Sequence, residues 1–321
     1  MEYKKKMSGI VYRMDTLQEK EEEVATASDA DFQIVGRQEV ARPKRCRKRK
    51  WWKNRPLLSE VLLALVVIGC LGCRFLMTKD PAYMDLMHCN EAPGREFLFG
   101  TDTMGRDIFS MIWYGGRISL FIGVFATLIS TMVAIVFGAV SGCAPDKVDA
   151  ALMRFTEIFL SIPELLLVIL LQAVLGKANV VSISVVIGLT GWAPIAKIVR
   201  TEVKQIRNSE YVIAARCMGG SFWYILRQHL TPNFASSIMF MVVMNIRSAI
   251  IAESTLSFMG IGLPLEQISW GSMLSNADKA LMTQSWWIIL IPGVFLVVTL
   301  MCMTNIGNDM RKRVNRRERN L

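Results

Sequence analysis

The chain has only two histidines and seven cysteines among its 321 residues, and neither type is grouped. His88 and His229 are far apart and have no metal-ligand spacing. Cys70 and Cys73 have the spacing of a zinc or redox pair. They lie in an apolar run with no second pair, which makes them small packing residues. A phosphate-cradling G-x-x-x-x-G-K-[ST] loop is also missing: Gly176-Lys177 is followed by Ala178 and lacks the earlier glycine. No metal site and no nucleotide-hydrolysing site of that kind is therefore expected. A cleavable signal peptide is not expected either, because no apolar core follows the first few residues. There is no long tandem repeat.

What the chain does have is apolar length. Hydrophobic residues make up 52% of it and the mean hydropathy is +0.36. A soluble domain of this size rarely averages above zero, so several transmembrane helices are expected. The net charge is +10 and the pI about 9.4. The Lys and Arg residues sit in tails and in loops beside apolar runs. That pattern follows the positive-inside rule and not a nucleic-acid footprint, so no nucleic-acid partner is expected.

Residues 1–56 are polar, acidic around 19–23 and strongly basic over 44–53, and read as a disordered cytoplasmic tail. Six spans follow at 57–77, 117–142, 151–175, 180–198, 234–252 and 286–303, with Pro163 inside the third and Gly188, Gly191 and Pro194 in the fourth. The membrane domain covers 57–310 and a basic tail closes the chain at 311–321. Residues 176–179 and 253–285 hold one lysine each, whereas both tails and 197–234 are rich in Lys and Arg. Both termini and the 200–233 loop are therefore expected in the cytoplasm of a multi-pass cell-membrane protein. Only Cys89 is expected outside, so no disulfide forms there.

One polar insertion stands out. Residues 210–233 read EYVIAARCMGGSFWYILRQHLTPN, longer than two spans need for a connection. Ser209 reads as a helix N-cap, with Glu210 expected at the positive end. Ala214 and Ala215 keep the first helix low on its surface, and Gly219 suits a left-handed stop. Ser221 caps a second helix, which Pro232 ends, biasing Thr231 away from helix. Two capped helices set at an angle make a rigid knob, a docking surface for something in the water.

The knob resembles the cytoplasmic coupling loop of ABC importer permeases, and within them the dipeptide/oligopeptide/nickel permease family. The matching residues are Tyr211, Val212, Ala214, Ala215, Arg216, Gly219, Ser221, Ile225, His229, Pro232 and Asn233. Ile213 replaces the acid of the general motif, and Gln228 and Thr231 replace the subfamily's usual Arg and Leu. Gly100-Thr101-Asp102 with Gly105-Arg106-Asp107 is similar to that family's GTD-x-x-GRD signature. Tyr114-Gly115, Arg117 and Ser119-Leu120 continue it, with Met111 at a position usually held by Arg. Glu253, Leu256-Ser257-Phe258, Gly260, Gly262 and Ser269-Trp270-Gly271 resemble the loop before the last span, and Pro292-Gly293 with Asn305 and Gly307 the last span and its exit.

The resemblance implies an all-α integral membrane permease subunit of the type I importer fold. It implies four kinds of partner: a second homologous permease, two ABC ATPase subunits, an extracytoplasmic substrate-binding protein and membrane lipid. ATP and Mg would be used by the ATPases, with no cofactor bound by this chain and no catalytic residue in it. The implied cargo is a di- or oligopeptide, with nickel or metallophore chelates as alternatives. Asp102, Arg106 and Asp107 have the makings of a local ion-pair lock, and Trp270, Trp286 and Trp287 of an interfacial belt. Glu164, beside Pro163, and Arg247 are ionisable groups at membrane depth and candidates for the path, as is Glu253. An ion-coupled secondary transporter is the rival class. It would show paired intramembrane acids and repeat symmetry, and would need no coupling knob.

Overall fold

The computed structural model describes residues 56–207, 231–264 and 266–318, with the side chains of 231–237 and 314–318 outside the description. The amino-terminal tail and most of the coupling loop, from Glu210 through His229, lie outside it. The described residues are helical, with one isolated β-bridge between Thr101 and Asp107. The helices are α1 (Leu57–Leu71), α2 (Cys73–Leu76), α3 (Ile108–Cys143), α4 (Asp146–Ser161), α5 (Glu164–Leu175), α6 (Val180–Thr190), α7 (Trp192–Arg207), α8 (Thr231–Phe258), α9 (Trp270–Leu274), α10 (Ala277–Met282) and α11 (Trp287–Glu318).

Among the described residues, three helices are long and apolar enough to cross a membrane unbroken: α3, α8 and α11. The other expected spans are interrupted. α4 and α5 meet at 87°, and α6 and α7 at 44°. α1 has 15 residues, about 22 Å, and falls short of a hydrocarbon core ~30 Å thick. After a break at Gly72, α2 carries it on to Leu76.

α3 is the spine. At 36 residues it is about 54 Å long, and it contributes to all three buried clusters. Ile108, Met111 and Ile112 join Cys70, Trp270 and Ile288. Ile122 and Ala126 join Val168, Ile183, Val186 and Leu256. Ala134 joins Trp192, Ala196, Val199 and Val203. Helices in lipid gain little from hydrophobic exclusion and associate through close backbone approach at small residues. α3 shows this at both ends. A Cβ on Gly116 would lie 2.4 Å from the Cys70 sulfur and 2.5 Å from the Trp270 ring. One on Gly138 would lie 2.7 Å from the Ala196 carbonyl and from Val199, and one on Gly142 2.8 Å from Val203.

Several boundaries differ from the sequence expectation. α3 begins at Ile108 and not at residue 117, because Gly115 and Gly116 are packing glycines inside the helix and not part of a loop. Trp270 is fully buried, with Nε1 donating to the Ile112 carbonyl at 3.0 Å, so it is a core residue and not part of an aromatic belt. Trp287 also turns inward, donating to the Thr101 carbonyl at 3.2 Å, whereas Trp286 is exposed. Glu253, expected in a loop, lies in α8. Thr231, expected to be biased away from helix by Pro232, is helical and lies in α8; the helix that Pro232 was expected to end lies outside the described residues. The last helix runs on to Glu318, which makes most of the basic tail helical.

Replacing Gly138 with leucine should wedge α3 from α7 at a cost of about 1–3 kcal/mol, the usual range for overpacking. A lower midpoint in a detergent thermal-unfolding assay of the purified protein checks this. The same change at Gly176, where an added Cβ meets no atom within 4 Å but φ is +83, tests backbone strain alone.

Candidate functional site

The two helix breaks lie at similar distances along α5 and α6 from the turn that joins them. Ile162 precedes Pro163, whose ring drives it into extended backbone (φ −85, ψ 128), so α4 stops there and α5 restarts after Pro163. Gly191 separates α6 from α7, and Pro194 falls in the first turn of α7, where its missing N–H costs no intrahelical bond. α5 has 12 residues and α6 has 11, joined by the short turn 176–179. At 1.5 Å per residue both breaks sit about 16–18 Å from that turn, roughly half the thickness of a hydrocarbon core.

A cavity of about 470 Å³ opens between these breaks and the middle of α8. Ile162, Pro163 and Glu164 line it from the first break, Thr190, Gly191 and Pro194 from the second, and Met241, Asn245 and Ser248 from α8. Gly191 leaves room for two polar groups. A Cβ there would lie 3.5 Å from Asn245 Oδ1 and 4.0 Å from Glu164 Oε1. The Asn245 amide also donates to Ser130 on α3. Glu164 stands in the first turn of α5, where the helix dipole favours its charge, and forms no salt bridge among the described residues. The groove thus offers one carboxylate, an amide and two hydroxyls in an otherwise apolar wall.

A larger hollow of about 810 Å³ lies among α1, α3 and α8, lined by Val67, Leu71, Phe121, Val124, Arg117 and Gln267 among others. Its wall is almost wholly apolar and it meets neither break, so the polar groove is the better candidate for a path.

The other candidate residues do not gather in the groove. Asp102 and Arg106 form a buried ion pair, their side chains 3% and 4% exposed respectively, with Nη2 to Oδ2 at 2.7 Å. Asp102 Oδ1 also accepts from the backbone N–H groups of Met104 and Arg106, both at 2.8 Å. Gly100 and Gly105 have φ of +77 and +73, and a Cβ on Gly105 would lie 1.7 Å from the Asp85 carbonyl oxygen. Asp107 caps α3 by accepting from the Ser110 N–H at 3.1 Å, and it accepts from Thr78 Oγ1 at 2.9 Å. This motif folds a loop onto the start of α3. In the same loop, His88 Nδ1 lies 2.9 Å from Asp85 Oδ2. That hydrogen bond raises the imidazole pKa and lowers that of Asp85.

Glu253 is fully buried. Ser269 donates to it at 2.6 Å and Ser257 at 2.9 Å, and Ser119 of α3 lies at 3.4 Å. Ser269 also caps α9, so this carboxylate joins α3, α8 and α9. Arg247 faces α11, with Nη1 3.5 Å from Thr304 Oγ1. Of the ionisable path candidates, Glu164 alone lines the groove. Sequence reasoning missed Thr190, Asn245 and Ser248, whose small polar side chains carry no pattern of their own. It also missed Asp149, which binds Arg200 and Lys204. The i, i+4 spacing of those two cations was the available signal.

Residues 134–319 match the family model described as binding-protein-dependent transport system inner membrane component. The chain belongs to this family. The matched stretch holds both breaks, the groove and the coupling-loop segment. Among the relatives is the dipeptide transport system permease protein DppC of Bacillus subtilis (strain 168), 35% identical over 82% of each chain. Its oligopeptide transport system permease protein OppC is 31% identical over 90% of this chain and 94% of that one. The OppC of Haemophilus influenzae is 33% identical over 85% and 88%. A solved structure of the MetNI methionine ABC transporter in inward-facing conformations covers 60% of this chain and 94% of its own, at 18% identity and a TM-score of 0.43. This family member is a multi-pass, all-α membrane protein and a transport component, as the resemblance implied.

Removing Arg106 should leave a buried carboxylate unpaired in this membrane component, at about 3–5 kcal/mol. Glu96→Gln, which breaks the solvent-exposed pair with Lys79, should cost about 0–1 kcal/mol. Thermal unfolding of Arg106→Ala and Glu96→Gln in the same detergent should separate them clearly.

Proposed function

We propose that this chain is the permease subunit of an ATP-driven importer of di- or oligopeptides, and that the groove is its share of the translocation path. The observation that carries this is the convergence of two helix breaks on one polar cavity, each about half a hydrocarbon-core thickness from the turn joining α5 and α6. Broken helices are tolerated in a bilayer where they line a cavity, and transporters place substrate there. The peptide cargo is supported by relatives named for dipeptide and oligopeptide transport that match this chain over most of its length.

The working assembly in this reading has a second homologous permease, two ABC ATPase subunits and an extracytoplasmic binding protein. ATP and Mg belong to the ATPases, and this chain transports without a cofactor or catalytic residue of its own. Lys and Arg distribution puts both termini and the coupling loop in the cytoplasm. The sequence assigns ATPase docking to Glu210, Tyr211, Ala214, Ala215, Arg216, Gly219, Ser221, Ile225, His229, Pro232 and Asn233. Glu164 is the groove's polar anchor. Asp102, Arg106, Asp107, Glu253 and Arg247 support the fold around it.

The test is to purify the tagged chain with its co-purifying subunits, reconstitute the complex and measure ATP-dependent uptake. Uptake of dipeptides or oligopeptides supports the reading. Uptake of a nickel chelate alone would move the cargo, and uptake driven by an ion gradient without ATPases would overturn it. In that system Glu164→Ala should lower peptide uptake about tenfold, equivalent to ~1.4 kcal/mol of lost stabilisation on the path, with assembly intact. Ala215→Glu should leave ATP hydrolysis running while uptake falls.

A further inference from the structure

The groove is walled on one side by the ends of α4 and α7, and both helices run from it to a single buried carboxylate. Asp149, 3% exposed, sits near the start of α4. Arg200 of α7 donates to both its oxygens, Nε to Oδ1 and Nη2 to Oδ2, each at 2.5 Å. Lys204, one turn further along α7, donates to Oδ2 at 2.5 Å, and Ser141 of α3 to Oδ1 at 2.6 Å. Three helices thus meet on one side chain. The two-pronged guanidinium contact fixes orientation as well as distance.

Two further contacts bracket this point. Val199 and Val203 of α7 press on Gly138 and Gly142 of α3. Arg207, at the far end of α7, donates to the Cys143 carbonyl at 3.2 Å. α7 therefore has no room to slide on α3 or α4 near its far end. At their other ends, α4 brings Phe159 and Leu160 to the groove and α7 brings Pro194, Ile195 and Ile198. The opposite wall is α8, which packs mainly on α3 and α11 and touches α7 little. The chain between α7 and α8 is the segment 208–230.

We propose that Asp149 is a positioning residue for transport: it clamps α4 to α7, so that displacement arriving at the Arg207 end moves one whole wall of the groove against α8. This rests on the importer reading, in which ATPase subunits push on the segment between α7 and α8. A rigid link converts a push at one end of α7 into a change at the break 16 residues away. A loosened one lets α7 bend alone, and the energy of hydrolysis does not reach the groove.

The test uses the complete reconstituted complex. Asp149→Asn keeps the side chain's shape and removes its charge. The ratio of ATP hydrolysed to peptide taken up should rise at least about fivefold, while the amount of assembled complex stays at the parental level. Asp149→Glu should recover most of the coupling, which a simple folding defect would not predict. A second readout does not depend on the cargo. Ser248→Cys in the groove is labelled with a water-soluble maleimide in the resting and nucleotide-trapped states, with the unsubstituted chain as control. Its labelling should change between states in the parent and stay constant with Asp149→Asn. If Asp149→Asn does not assemble, Arg200→Gln, which leaves Lys204 on the carboxylate, takes its place with the same expectations. A parental ATP-to-peptide ratio together with a parental labelling change overturns the clamp. A labelling change in the parent without any peptide uptake overturns the peptide cargo and leaves the clamp standing.

Discussion

A peptide group freed from its helix inside a bilayer has no water to bind, and each one left unsatisfied costs several kcal/mol. That constraint organises this molecule. Its chain breaks at Ile162–Pro163 and at Gly191, and it places both breaks on the same cavity. They lie at similar distances from a short turn because α5 and α6 have nearly equal lengths on either side of it. One groove lined by Glu164, Thr190, Asn245 and Ser248 then serves both breaks, and its polar side chains offer partners to freed backbone groups. In the proposed reading, the feature that looks like a defect in two spans is the one that makes a path.

Around that soft middle, the two ends of the spine helix are held firmly. At one end Asp107 caps α3, the Asp102–Arg106 pair folds the preceding loop, and Glu253 gathers serines from α3, α8 and α9. At the other, Asp149 collects Ser141, Arg200 and Lys204. Close approach at Gly116, Gly138 and Gly142 lets neighbouring helices reach these anchors. Buried charges stand at the braces, whereas Glu164 lines the groove without a salt bridge among the described residues.

Much of this was legible in the sequence, and the rest was hidden for physical reasons. Apolar runs announced the membrane helices, and Pro163 and Gly191 were visible as irregularities inside two of them. Their convergence was not, since it depends on the α5–α6 turn bringing two lengths into register. The start of α3 was obscured because Gly115 and Gly116 read as loop residues, whereas a tryptophan ring and a cysteine sulfur need the space they leave. Glu253 sat among serines and read as polar loop, when those serines were its ligands. Asp149 and Arg200 are 51 residues apart, so no local spacing could pair them. The coupling motif was the clearest signal in the sequence, yet all of it before Pro232 lies outside the described residues, and its assignment rests on the residues themselves.

The most direct measurement is photo-crosslinking of a peptide carrying a diazirine, trapped in the assembled complex during turnover, with the attachment sites read by mass spectrometry. The account predicts adducts around Glu164, Gly191, Asn245 and Ser248. Adducts confined to the apolar hollow near Phe121 and Val124, with none at the two helix breaks, would contradict it.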